Sequence, residues 1–211
     1  MPNGGPHHLQ RPVGIVLAGG RSSRMGGVPK AMMPLAGKPL LAHVIDRLAP
    51  QVADLALSGD PASPDLMAFG RAIEPDPVPD YAGPLAGLLA GLNWARANHP
   101  LTKWLLSAAC DTPFLPCDLG ARLLEAAPDG ETIALPSSGG RLHPVAGLWP
   151  VFLADDLAHH LTSDPGSIQA FVARHPHAVL DFTIPDGRDP FLNINTPEDL
   201  RRAETLMREA P

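Results

Sequence analysis

Residues 16 to 40 read VLAGGRSSRMGGVPKAMMPLAGKPL, an apolar run that opens into glycines and cations and closes on a Gly-Lys pair. Glycine lets a backbone pass close to a ligand, so the N–H groups around Gly19, Gly20, Gly26 and Gly27 can reach the oxygens of a polyphosphate. Arg21, Arg24 and Lys30 add fixed positive charge, and charge-assisted hydrogen bonds to phosphate are the strong ones. The chemistry expected of such a loop is capture of a triphosphate. It is not a Walker loop, because no Gly-Lys-Ser/Thr follows a four-residue gap, nor is it the G-x-G-x-x-G dinucleotide fingerprint. Glycine turns with solvated arginines have the same composition, so position in the fold and the accompanying motifs must decide.

The elements that position the loop follow from changes in hydrophobic period. VGIVLA (13–18) is a short β-branched run ending in glycine, as expected of a strand buried on both faces. KPLLAHVIDRLAP (38–50) places Leu40, Leu41, Val44, Ile45 and Leu48 on one helical face, with Pro39 near its start and Pro50 past its end. Strands are expected at 53–60, 72–76, 103–111, near 131–137, near 143–150 and near 178–184. Helices are expected at 83–99, in 115–127, across 151–174 and at 195–210, the last with Thr196 as N-cap and Pro197 at its first position. The alternation predicts a single-domain α/β fold, a Rossmann-like three-layer sandwich with a mainly parallel sheet. Such sheets bind ligands beyond the carboxyl ends of their strands, which is where the glycine loop lies.

A chain of 211 residues suits one domain with a full-sized core, read here as residues 13–211 behind a flexible arm at 1–12. The 26 prolines, well above the usual ~5%, are spread along the chain and read as rigid loops between short elements. A net charge of −6 without a long basic block argues against nucleic-acid or membrane-surface binding, so any phosphate site must be local. Cys110 and Cys117 match neither a redox pair nor a zinc knuckle, and no apolar run reaches membrane-spanning length. A cytoplasmic monomer with reduced thiols is expected. His143 reads either as a ligand contact or as a structural strand histidine, and the pairs His159-His160 and His175/His177 lack zinc-site spacing with a carboxylate.

LAGGRSSRMGGVPKAMMPLAGKPLLAHV resembles the L-A-G-G-x-S-x-R-M-G-x-x-K opening of the nucleotide-diphospho-sugar-transferase-like nucleotidyltransferases, and more narrowly that of the molybdenum cofactor guanylyltransferases. YAGPLAGLLAGL, CDTPFLP, HPVAGLWP and FLNINTPEDL resemble the family's later signatures, in order, so the likeness spans roughly residues 13 to 202. The first motif is shared with sugar-phosphate nucleotidyltransferases; the set points to the molybdopterin branch. The resemblance implies that Leu17, Ala18, Gly19 and Gly20 hold a guanine nucleotide by their backbone and that Lys30 meets its phosphates. It makes Asp76 a guanosine-binding residue and Asp111 a metal ligand, at the end of the buried run KWLLSA where a carboxylate can coordinate Mg²⁺ on a triphosphate. An Asx turn closing the strand is the alternative for Asp111, and the accompanying glycine loop favours metal ligation.

Asn193 and Asn195 match family asparagines on the pterin side and also read as turn formers before the last helix. Gly83 and Gly87 would expose helix N-terminal amides to the base or the pterin, or else permit close helix packing. Two departures stand out. Ser58 occupies a position near the nucleotide where the family commonly has asparagine, and DPGSIQA (164–170) has no cation where the family often has a basic pair. Arg141 and Arg174 are the nearest arginines in sequence that could replace that charge.

The implied activity is Mg²⁺-dependent transfer of GMP from GTP to the terminal phosphate of molybdopterin, with or without molybdenum, releasing pyrophosphate. Arg24, Lys30 and Asp111 would be its catalytic residues, and molybdoenzyme apoproteins or their chaperones its recipients. A molybdopterin cytidylyltransferase, a sugar-phosphate nucleotidyltransferase and a non-catalytic nucleotide-binding adaptor are the alternatives.

Overall fold

The structure, a computed structural model, describes residues 11–19, 29–78, 83–163, 166–182 and 188–209. Its elements, in chain order, begin with β1 (Val13–Leu17), the ribbon strands β2 (Pro34–Leu35) and β3 (Lys38–Pro39), α1 (Leu40–Leu48), β4 (Leu55–Ser58), α2 (Pro64–Met67) and β5 (Ala72–Glu74). Then come α3 (Pro84–Asn98), β6 (Trp104–Ala109), α4 (Leu119–Ala126), β7 (Ile133–Ser138), β8 (Arg141–Leu142) and β9 (Leu148–Pro150). The chain closes with α5 (Ala154–Ser163), α6 (Ile168–Val172), β10 (His177–Asp181) and α7 (Pro197–Arg208).

Among the described residues one sheet runs in the order β10-β7-β9-β6-β1-β4-β5, with β8 paired to β7. β1 pairs in parallel with both β4 and β6, which is why it reads as an unbroken apolar run. β9 alone lies between parallel neighbours and runs against both, pairing antiparallel with β6 and with β7. The strands therefore point their carboxyl ends to one edge, apart from β9 and the short hairpin strand β8. Alternate residues feed opposite faces: Val16, Leu57 and Leu106 join α1 and α4 in one core, while Ile15, Ala56 and Leu105 join α3, α5 and α6 in the other. That is the three-layer sandwich expected from the sequence.

Local differences have physical reasons. The strand expected over 143–150 is only Leu148–Pro150, because the chain turns at His143–Ala146, where Ala146 N–H donates to the His143 carbonyl (3.0 Å), before entering the sheet. Lys38 and Pro39 belong to the β2–β3 ribbon and not to the helix, which starts at Leu40 with Pro39 as its N-cap. Thr196 caps α7 as expected, and Asp199 completes a capping box with it. Arg11 and Pro12 are tied down: Arg11 donates to the Pro50 carbonyl, and Ala53 N–H donates to the Pro12 carbonyl. No helix among the described residues is long and apolar enough to cross a membrane.

α3 is buried continuously from Leu85 to Leu92 because sheet and α5 enclose it. Two of its glycines face the sheet. A Cβ on Gly91 would meet Ile15 Cγ2 at 2.9 Å and Leu105 Cδ2 at 3.0 Å, atoms of two central strands with no room to retreat. Gly→Ala in a helix interior ordinarily gains about 1 kcal/mol, whereas overpacking a core costs typically 1–3. Gly91→Ala is expected to be destabilising by up to about 2 kcal/mol in denaturant unfolding; a stabilised variant would show that α3 can move off the sheet.

Candidate active site

Carboxyl ends of β1, β4, β5 and β6 and the N-terminus of α3 border a cleft of about 750 Å³. Sheet order divides it. On one side, β1, β4, β5 and α3 contribute Leu17, Gly19, Ser58, Asp76, Gly83 and Gly87. On the other, the chain around the β7–β8 hairpin and the segment before α7 contribute Arg141, His143, Phe191 and Asn193. Asp111, just past β6, stands between them.

Lys30 reaches the same place from the 3-10 turn Lys30–Met32, and its side chain is nearly dry. Its ammonium donates to Asp111 Oδ2 (2.5 Å) and to Asn195 Oδ1. The turn that follows β6 is fixed by Thr112, whose hydroxyl donates to the Ala109 carbonyl (2.8 Å). Ile194 N–H donates to the Asp111 carbonyl (3.0 Å), which fastens the segment before α7 to the same turn. Asp111 thus has one carboxylate oxygen committed to Lys30, while Oδ1 is buried with no hydrogen-bond partner among the described residues.

Neighbouring groups are tuned by the same burial. The Cys110 thiol is pushed up to about 12, mainly by desolvation and secondarily by the Asp111 carboxylate, so it is an inert wall of the cleft. Asp76 is raised above the usual aspartate value by desolvation, and its Oδ1 is likewise buried with no hydrogen-bond partner among the described residues. His143 is pushed below the usual histidine value by burial, with Asp189 opposing and Arg141 adding to the shift.

Residues singled out from separate motifs therefore converge. Asn195 joins through Lys30, and Ala18 packs against the core, its N–H held by the Ser58 carbonyl (3.1 Å). Gly20 and Arg24 lie outside the described residues. Ser58 is 1% exposed, and a Cβ on Gly87 would stand 2.6 Å from its hydroxyl, so close packing of α3 on β4 accounts for Gly87. Gly83 is the N-cap of α3 at the rim of the cleft. Of the two arginines weighed for the missing basic pair, Arg141 lines the cleft, while Arg174 is engaged by His160 (3.2 Å) and Asp156 (3.7 Å). Phe191 was not anticipated, since a lone aromatic before an asparagine motif carries no signal of its own.

Residues 14–179 match the MobA-like NTP transferase domain. The chain belongs to the MobA-like NTP transferase family. It is a nucleotidyltransferase. A molybdenum cofactor guanylyltransferase of Bradyrhizobium sp. (strain ORS 278) is 50% identical over 197 residues, 92% of this chain and 92% of that protein. Among solved structures, molybdopterin-guanine dinucleotide biosynthesis protein A from Archaeoglobus fulgidus superposes with a TM-score of 0.72 at 23% identity, covering 94% of this chain and 100% of that one. A Mycobacterium tuberculosis H37Rv protein solved in complex with manganese gives 0.68 at 22% identity, covering 93% and 99%. At such identities these two likenesses concern the fold.

Asp111 could hold a divalent cation through Oδ1, which has no hydrogen-bond partner among the described residues. Among the described residues no group of three or more histidines, cysteines or acids converges as a self-sufficient metal cage. One unpaired carboxylate oxygen suits a hard cation such as Mg²⁺, which binds through one or two carboxylates plus substrate phosphates and water.

Desolvation of Asp76 gives a stability test. Its folded pKa is raised, so the carboxyl's contribution to folding is full below the unfolded value near 3.8 and is lost as pH rises through the folded one. Asp76→Asn is expected to raise the melting temperature of the ligand-free protein at neutral pH, with the gain shrinking as pH falls toward 4. A variant less stable than wild type at pH 7 would mean that the carboxylate is satisfied in the free protein.

Proposed function

We propose that the protein transfers GMP from GTP to the terminal phosphate of molybdopterin, forming the guanine dinucleotide cofactor and pyrophosphate with Mg²⁺. The observation that carries the reading is the Lys30–Asp111 pair at the middle of the cleft, Lys30 buried and Asp111 partly so, with Asp111 Oδ1 unpaired among the described residues. Identity of 45–50% over nearly whole chains to proteins named molybdenum cofactor guanylyltransferase supports this choice of substrates.

On this reading GTP lies over β1, β4 and β5. Asp76, an acceptor only, takes N–H groups of guanosine, and the backbone from Leu17 to Gly20 follows the phosphates with Ser58 beneath. Lys30 and Arg24 offset charge on the α-phosphate and on the departing pyrophosphate. The acceptor lies on the far side of Asp111, toward Asn193 and Asn195, with Gly83 and Gly87 bordering the cleft from α3. An acceptor phosphate oxygen bonds to the α-phosphorus of GTP as the bond from that phosphorus to the bridging oxygen breaks in line. Its phosphate monoester is already largely ionised at neutral pH, so no strong general base is required. Mg²⁺ bound at Asp111 Oδ1 would supply charge neutralisation on the triphosphate. We further propose that the protein works as a cytoplasmic monomer and passes its product to molybdoenzyme apoproteins or their chaperones.

The test is a pyrophosphate-release assay with purified molybdopterin, Mg²⁺ and each of the four nucleotides. GTP should be the preferred donor; preference for CTP would favour a cytidylyltransferase, and no release with any acceptor would favour a binding adaptor. Asp111→Asn should lower turnover by about a hundredfold or more while the protein stays folded. Near-normal turnover at limiting Mg²⁺ would remove Asp111 from the metal.

A further inference from the structure

The β7–β8 hairpin carries a group of side chains that the proposed chemistry leaves unused. Ser138 ends β7, Gly139 and Gly140 turn with φ of 54° and 77°, and Arg141 and Leu142 return as β8. The positive φ at both turn positions suits a tight hairpin and sets Arg141 at the lip of the cleft. Arg141 is exposed, and the structure gives its side chain no ion pair or hydrogen bond among the described residues.

Behind it, Ser138 Oγ lies 2.8 Å from His143 Nε2 and 2.7 Å from Asp189 Oδ1. A carboxylate can only accept, so the serine hydrogen goes to Asp189, and the serine oxygen is left to accept from His143 Nε2–H. This order is the reverse of a nucleophile activated by a base. The serine is 6% exposed and bridges two groups, and its effect is to fix the histidine tautomer. Nδ1 becomes the ring nitrogen available to a ligand in the cleft that His143 lines. The ring is also held flat on Phe191, with centroids 4.7 Å apart and planes at 20°. Asp189 in turn accepts from Phe191 N–H (2.9 Å), so the platform and the relay are one unit.

Sheet order decides which substrate this unit meets. Every described residue assigned to the nucleotide lies over β1, β4 and β5 or at Lys30 and Asp111, whereas Arg141 and His143 lie beyond β6 on the β7 side. We infer that Arg141 and His143 form the anion-recognition subsite for the acceptor, Arg141 by charge and His143 by Nδ1. This deepens the functional reading above and rests on it. It also answers the absence of cations from residues 164–170: the charge comes from the opposite rim, since Arg174 is already occupied by Asp156 and His160.

The test compares Arg141→Ala, Arg141→Lys, His143→Asn and His143→Gln with wild type in the GTP–molybdopterin assay, with molybdopterin binding followed separately by pterin fluorescence. Arg141→Ala should raise the acceptor KM about tenfold or more and keep the GTP KM within about twofold, with the effect shrinking as salt is added. Arg141→Lys should recover part of the loss. Asparagine keeps a polar group near the place of Nδ1, and glutamine keeps one near the place of Nε2. His143→Asn should therefore retain more acceptor affinity than His143→Gln.

An acceptor KM unmoved in Arg141→Ala, or an equal loss for GTP, would overturn the inference for Arg141. Glutamine outperforming asparagine would reduce His143 to a structural partner of Ser138. Wild type that neither binds molybdopterin nor releases pyrophosphate would instead defeat the functional reading. The subsite would then be judged with inorganic phosphate titrated calorimetrically onto GTP-saturated protein, where Arg141→Ala must weaken binding for the inference to stand.

Discussion

Three segments far apart in sequence meet at one ammonium group. Lys30 comes from the turn after the glycine loop, Asp111 from the end of β6, and Asn195 from the approach to α7, 81 and 165 residues away. Burying an ion pair is a poor route to stability, because desolvating both charges offsets most of their attraction. Removing one partner, however, strands the other and costs about 3–5 kcal/mol. The pair acts as a constraint: β1, β6 and the C-terminal segment must be in register before either charge is tolerable. The Ile194 N–H donation to the Asp111 carbonyl holds the third segment independently of the side chains.

That constraint works because of the sheet around it. β6 lies between β1 and the antiparallel β9, so the residue at its carboxyl end is flanked by two different surfaces. One comes from the parallel strands and α3, the other from a hairpin and a turn that exist because β9 reverses direction. An all-parallel sheet would have required a crossover helix on that side. The reversal instead lets the chain fold back at His143–Ala146 and bring Arg141 and His143 to the cleft.

Local signals explain what was legible beforehand. VGIVL and WLLSAA are apolar on both faces and read as central strands, and the spacing of Leu40, Leu41, Val44 and Leu48 reads as an amphipathic helix. Lys30 and Asp111 stood out through the company they keep in their motifs, and the structure brings them together. The direction of β9 was not legible, since period-2 patterning carries no information on pairing. Neither was the Ser138–His143–Asp189 relay, whose members are 5 and 51 residues apart and belong to three different loops or ends. Gly87 could be read either as an open helix end or as a packing glycine, and only the 2.6 Å approach to the Ser58 hydroxyl favours packing.

Charged groups are spread along the cleft, and on the functional reading their order orients both substrates. Asp76 can only accept, so the β5 end of the cleft favours N–H donors and repels phosphate. Lys30 lies at the centre, and Arg141 at the far rim is a second cation without an internal partner among the described residues. A nucleotide entering with its phosphates toward Asp76 would bring like charges together in a half-buried corner, where screening is weak. The opposite orientation places base against carboxylate and phosphates toward Lys30, leaving Arg141 for an anion arriving from the other side. On that reading, direction is set as much by what the Asp76 carboxylate repels as by what it binds.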